Sequence, residues 1–288
     1  MATVKKTFGG LLLSALLGSA LFGCGQKTVD EAPQQQITGA LLPHHLLVDY
    51  FIDDFYQDLS QQQDFDTVIL LSPNHFHYGF GAIQSTKELD FKSGSSGDAD
   101  FVIPAIDRQS VEFLQNQGLL TVEPKYFAKE HGVTVHLSYI KKYFQHATVI
   151  PITLKEETSQ QRLKALVDEI LELPLHRVLV VASIDFSHYA QEENALQDDE
   201  RLIGWLQAWS KNPSLNTLEK CSELGISSAP QSEAVAMDSP ETLWTFLYLL
   251  EQSKTTSFHF LRRTSTASLT NIKTPADNTS HIFALFTK

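Results

Sequence analysis

A chain of 288 residues in which 42% are hydrophobic and 19% charged can bury a substantial core, so global disorder does not describe it. Its two cysteines, Cys24 and Cys221, are too few for a disulfide scaffold or an all-cysteine metal site. Acidic residues outnumber basic ones 34 to 22, the formal net charge is −12, and no dense Lys/Arg stripe offsets it, so nucleic acid is not expected as a partner.

Lys5 and Lys6 precede an uncharged, mostly apolar run over residues 8–23. As a helix at about 1.5 Å per residue that run spans roughly 24 Å, short of the roughly 30 Å bilayer core, which suits a signal peptide better than a membrane span. The run ends Leu21-Phe22-Gly23-Cys24, which resembles a bacterial lipobox; Leu21 and Gly23 fit, and Phe22 is bulkier than the usual small residue. On this reading residues 1–23 are a lipoprotein-type signal, and a lipidated Cys24 anchors the chain to a bacterial membrane in the cell envelope. The alternative is an uncleaved N-terminal anchor with an incidental cysteine. Residues 24–36 are polar and aperiodic and form a flexible tether, leaving residues 37–288 as one domain without repeats or a second linker.

In chain order, residues 46–59 carry apolar spacing that predicts a helix, and TVILL over 67–71 predicts a strand buried on both faces. Residues 84–100, with Gly94 and Gly97, predict a surface loop. Helices are expected over 108–117 and 134–145, a buried strand over 147–154, an amphipathic helix over 159–173, and a third buried strand, RVLVVAS, over 177–183. Helices over 198–209 and 241–252 and late strands over 257–261 and 281–286 complete the pattern. The alternation predicts a single layered α/β domain with a mostly parallel central sheet flanked by helices. Ligands in such sheets sit outside the carboxyl ends of the strands.

Three patterns place polar residues where apolar segments end. Pro43-His44-His45 follows Ala40-Leu41-Leu42; Ser72-Pro73-Asn74-His75 follows TVILL; and Ser183-Ile184-Asp185-Phe186-Ser187-His188-Tyr189 follows the third strand. If these strands are parallel neighbours, their ends meet in one crevice. Imidazole is the commonest protein ligand for zinc, copper and iron, and three histidines with one oxygen ligand leave room for water or substrate. Each histidine taken singly is more often a hydrogen-bonded loop residue than a ligand. Glu130-His131 and His136 form a fourth cluster, in which His131, at a helix start, is the better candidate for a catalytic or supporting role. His45 and His77 are candidates for lining the pocket without an assigned role. His146, His176, His259 and His281 read as structural, and Trp205, Trp209 and Trp244 as core.

The order Pro43-His44, Pro73-Asn74-His75, Glu130-His131, Asp185-Phe186-Ser187-His188 resembles the Memo family, whose bacterial and archaeal members carry the label AmmeMemoRadiSam system protein B. The likeness runs from about Ile37 to the C-terminus, and DFSHY after VVAS is its most specific part. It implies a fold similar to class III extradiol dioxygenases, which are non-haem iron enzymes, and a pocket containing His44, His75, Asp185 and His188. Some family members bind copper or iron, and many have no established reaction.

In one respect the chain departs from the family. Where members with a metal-binding cysteine carry it, this chain reads Ala236-Met237-Asp238-Ser239-Pro240-Glu241. Loss of a thiolate removes the soft ligand that favours Cu(I); Asp238 as a ligand shifts preference toward harder ions. Asp-Ser-Pro-Glu is also a good helix start, so the plainer reading of Asp238 is that it only caps that helix.

These readings nominate His44, His75, His188 and Asp238 as ligands of a divalent or redox metal ion (Fe, Cu or Zn), with His131 as general acid/base and Asp185 orienting a histidine or binding the metal itself. The function expected is a metal-dependent oxidoreductase or hydrolase acting on a small molecule. Its alternative is a non-catalytic lipoprotein that binds a metal, a small ligand or a peptide.

Overall fold

The structure is a computed structural model and describes residues 35–89, 103–212, 237–255, 257–272 and 274–288. Cys24, Cys221 and the expected signal and most of the expected tether lie outside the described residues. Four parallel strands form the centre of one sheet, in the spatial order β6 (Thr148–Leu154), β2 (Thr67–Pro73), β7 (Val178–Ser183), β1 (Ile37–Leu42). β9 (Ser280–Thr287) runs antiparallel to β1, and β8 (Ser257–Ser265) antiparallel to β9. On the other side β3 (Ile83–Ser85) pairs antiparallel with β6 and parallel with β5 (Thr121–Val122), while β4 (Ala105–Ile106) pairs parallel with β6. The expected mostly parallel α/β domain is therefore what forms, with its antiparallel strands on the flanks.

Strands β2 and β7 are Val-, Leu- and Ile-rich because both faces are covered. Alternate side chains serve two cores. Val68, Leu70, Leu179 and Val181 pack with Ile52, Tyr56 and Leu59 of α1 (Asp49–Gln62) and with Val133, Leu137 and Ile140 of α4 (His131–Tyr143). Ile69, Leu71, Val180 and Ala182 pack on the opposite face with α2 (Arg108–Asn116), α5 (Gln160–Leu171), α6 (Glu192–Lys211) and α7 (Pro240–Gln252). On α5 the buried residues Leu163, Leu166, Val167 and Ile170 follow the spacing of one helical stripe. Helix α7 is buried almost all round, and its Leu250 and Phe246 leave no room for a side chain at Gly39 on β1.

The connection β1–α1–β2 steps over β7 in one direction, and β6–α5–β7 steps over β2 in the other. Right-handed crossovers running in opposite directions place their helices on opposite faces, as the two cores require. The carboxyl ends of β1, β2 and β7 are left side by side at one edge.

Several boundaries differ from the sequence expectation. Helix α4 begins at His131 because the Glu130 side chain accepts a hydrogen bond from Gly132 N and caps it. Helix α6 begins at Glu192, and a 3-10 turn over Leu46–Val48 precedes α1. The short strands β3, β4 and β5 escaped the reading because two or three residues carry no period. The short helices α3 (Pro124–Phe127) and α8 (Thr266–Leu269) escaped it for the same reason. No helix among the described residues is long and apolar enough to cross a membrane.

Leu166 is fully buried between α5 and the sheet. Leu166→Ala is expected to destabilise the domain by about 2–5 kcal/mol, read as a lower midpoint in chemical denaturation at unchanged slope.

Candidate metal centre

The ends of β1, β2 and β7 deliver His44, His75 and Asp185 to one crevice, and the turn before α7 adds Asp238. His44 Nε2 lies 3.0 Å from Asp238 Oδ2 and 3.6 Å from Asp185 Oδ2, and His75 Nε2 lies 3.4 Å from the same Asp238 oxygen. Metal–ligand bonds of about 2.0–2.1 Å at octahedral or tetrahedral angles give ligand–ligand edges of roughly 2.9–3.4 Å. Asp238 Oδ2 thus stands at a ligand–ligand distance from each of the two Nε2 atoms. Asp238 Oδ1 is buried without a hydrogen-bond partner, as a carboxylate awaiting a cation would be. Two sets of side chains converge closely enough to hold one ion: His44, His75 and His131, and His44, Asp185 and Asp238.

The outer nitrogens of both rings are held from behind. His75 Nδ1 pairs with Glu130 Oε1 at 2.6 Å, and His75 N donates to Glu130 Oε2 at 3.0 Å. His44 Nδ1 meets Ser183 Oγ at 2.8 Å; Ser183 Oγ in turn meets His136 Nε2 at 3.2 Å, and His136 Nδ1 meets Tyr56 Oη at 3.1 Å. Burial pushes His136 down to about 3, so this ring is neutral. A His44 that offers Nε2 to a cation carries its proton on Nδ1 and donates it to the serine oxygen, which can then donate to His136 Nε2.

Gly132 lets α4 approach this close. A Cβ there would stand 2.3 Å from Ser72 Oγ, so a side chain would push the helix start, with Glu130 and His131, away from the strand end.

Charge is balanced inside the cluster. Burial alone would lower His75, but the Asp238 and Glu130 carboxylates override it and hold the ring at about 10. Burial likewise opposes a charged His44, and Asp185 and Asp238 together raise it. Asp238 is pushed up by burial but held well below the usual carboxylate range by His44 and His75. His131 stacks on the His75 ring at 4.0 Å with about half its side chain exposed; burial of the remainder, then the neighbouring His75 and His44, hold it down at about 4.

Asp238 does not cap α7. That role belongs to Ser239, whose Oγ accepts from Thr242 N, so the Asp238 carboxylate is free to turn into the crevice. Asp185 and Asp238 are tied through their backbones: Asp238 N donates to Asp185 O, and Asp185 N donates to Asp238 Oδ2. Asp185 Oδ1 also accepts from His44 N at 3.1 Å, so Asp185 orients as well as faces the site.

His188 stands outside both converging sets. Its Nε2 is buried and unpaired, and its ring packs beside Tyr189. His77 is exposed at positive φ. The reading from sequence named Ser183, His136 and Glu130 without giving any of them a role. A serine or glutamate that braces a ring has no signal in the spacing of the ligands; the one available hint was that Ser183 ends a buried strand.

The family described as Memo-like protein matches residues 24–276. A MEMO1 family protein from Pyrobaculum arsenaticum is 30% identical over 142 residues, which are 48% of this chain and 48% of that one. The MEMO1 family protein PAE0818 from Pyrobaculum aerophilum is 28% identical over 141 residues, again 48% of each. The chain thus spans about half the length of these curated relatives. The crystal structure of the uncharacterized protein JW3007 from Escherichia coli K12 aligns with a TM-score of 0.47 at 13% identity, covering 88% of this chain and 100% of that one.

Two outcomes follow from the geometry. In the metal-free protein the His75 ring should titrate near pH 10 by NMR. Its folded value lies above the unfolded value of about 6.5, so its stabilising contribution is complete below about pH 6.5 and lost as pH rises through about 10. Thermal melts across that range should fall accordingly; a ring titrating near 6.5 contradicts the carboxylate clamp. Ser239→Ala should cost about 1 kcal/mol in denaturation through loss of the cap while leaving metal content unchanged.

Proposed function

The chain belongs to the Memo family, and from that premise we propose that it is a lipid-anchored envelope protein whose metal ion, held by His44, His75 and Asp238, acts on a small molecule as an oxidoreductase or hydrolase. The observation that carries this reading is the approach of His44 Nε2 and His75 Nε2 to one Asp238 oxygen, with both Nδ1 atoms braced by buried partners. Two imidazoles and a carboxylate favour borderline or hard ions, among which Fe(II) and Zn(II) fit better than Cu(I). Such an ion supplies Lewis acidity toward water, dioxygen or a substrate oxygen.

The remaining residues have distinct tasks. Asp185 holds His44 N and limits the positions open to that ring. His131, neutral at physiological pH and half exposed over His75, is placed to accept a proton from a substrate at the mouth. The buried Glu130 pairs with His75 Nδ1 and raises the donor strength of that ring.

A second reading, a lipoprotein that captures a metal, small molecule or peptide without turnover, draws on the rim. Phe76 and Tyr189 are exposed and pack beside His131 and His188, offering contact area rather than chemistry. His131→Gln separates the two: loss of turnover with ligand affinity retained favours the enzyme.

Metal analysis by ICP-MS is expected to find near-stoichiometric metal in the wild type and its loss in His44→Ala/Asp238→Ala. No metal in the wild type, even after reconstitution with Fe(II), Zn(II), Mn(II) and copper, ends the metal reading. Cys24→Ser is expected to abolish incorporation of radiolabelled palmitate and to release the chain from the membrane fraction; unchanged labelling removes the lipid anchor.

A further inference from the structure

The two imidazoles at the centre of the site are braced by groups of different kinds. Glu130 meets His75 Nδ1 with a carboxylate oxygen, and an ionised carboxylate only accepts, which sets the proton of that contact on the ring. Ser183 meets His44 Nδ1 with a hydroxyl, which donates or accepts equally well. Ser183 by itself therefore leaves two states of a neutral His44 open. In one the proton is on Nδ1 and Nε2 is free; in the other it is on Nε2, aimed at Asp238 Oδ2 3.0 Å away.

The serine has a second partner. Its Oγ lies 3.2 Å from His136 Nε2, and His136 Nδ1 lies 3.1 Å from Tyr56 Oη. The chain of groups crosses the fold: His44 follows β1, Ser183 ends β7, His136 lies on α4 and Tyr56 on α1. Tyr56, His136 and Ser183 are fully buried and His44 is 1% exposed, so bulk water is not at hand to replace a partner.

Such a chain has two proton arrangements, each consistent along its length. In the first, His44 Nδ1–H donates to Ser183, Ser183 donates to His136 Nε2, and the neutral His136 ring donates Nδ1–H to Tyr56 Oη. In the second every direction is reversed, and the His44 proton stands on Nε2. Only the first leaves the His44 Nε2 lone pair free. It is also the arrangement that depends on His136. Without that ring, Ser183 accepts from His44 only by leaving its own buried O–H without an acceptor. In the second arrangement the loss of His136 leaves only a lone pair unfilled, which buried structure tolerates more readily.

We infer that His136 is a positioning residue for the metal site: by accepting from Ser183 it holds His44 in the tautomer that presents Nε2 to a cation, and its own proton then stands on Nδ1, facing Tyr56. The inference rests on the metal reading and deepens it. Control of ion affinity extends to a side chain outside both converging sets, on a helix stripe whose other buried members, Val133, Leu137 and Ile140, are apolar.

The test uses the full chain with Zn(II) alone as the probe. Affinity is read by competition with a chelator, and the His136 tautomer by long-range proton–nitrogen NMR correlation. In the zinc-loaded wild type the His136 proton should be on Nδ1; a proton on Nε2 overturns the inference. His136→Phe, which keeps a ring without its nitrogens, and Ser183→Ala should each bind zinc about 10–100-fold more weakly. Ser183→Ala removes a single oxygen and keeps the test open where His136→Phe does not fold. His136→Gln, whose amide can accept from Ser183 and donate to Tyr56, should recover most of the loss, which a purely structural role would not produce. Wild-type affinity in His136→Phe or Ser183→Ala, or a His136→Gln as weak as His136→Phe, overturns the inference and leaves the metal reading standing. A wild type that binds no zinc fails the metal reading first, and the inference falls with it.

Discussion

Two imidazoles can offer Nε2 to one point only when something else holds both Nδ1 atoms, and most of this site is built around that constraint. Ser183 holds one and Glu130 the other. Neither brace is independent. Ser183 is fixed between His44 and His136, and His136 reaches the buried Tyr56 on α1. Glu130 is fixed by capping α4 and accepting from His75 N. Helices α1 and α4 therefore do more than cover the sheet, since the orientation of the ligands runs through their buried side chains.

The same packing explains the protonation pattern. Seven titratable groups crowd together, and burial works against every charge among them. The carboxylates of Asp238, Asp185 and Glu130 are tolerated because His44 and His75 are raised toward the charged state. His131 and His136, which sit farther from the carboxylates, are lowered instead. One cluster thus contains charged rings at its centre and neutral rings at its edge. A cation arriving at the Nε2 atoms would displace protons and take over the balancing of the carboxylates.

The Asp238-Ser239 pair divides its tasks in the structure. Ser239 takes the helix cap, and the residue before it is released to face His44 and His75. The hard oxygen in place of a thiolate fits the harder ions. The DFSHY loop is similarly divided: Asp185 faces His44, Phe186 anchors in the core, Ser187 joins Asp199, and His188 stands outside both converging sets.

The sequence by itself determined the buried parallel strands, the amphipathic helices and the fact that histidines follow strand ends, because these depend on periodicity and on where apolar runs stop. TVILL and RVLVVAS were readable as buried strands since a strand covered on both faces must be apolar throughout. Which strand ends become neighbours was not readable: β7 enters between β1 and β2 from more than a hundred residues away. That His188 stands outside both converging sets, that Asp238 enters one of them, and that Ser183 and His136 brace His44 depends on tertiary packing. Each of those outcomes is set by a side-chain direction in a loop or by a contact across the sheet, and neither leaves a local pattern in the chain.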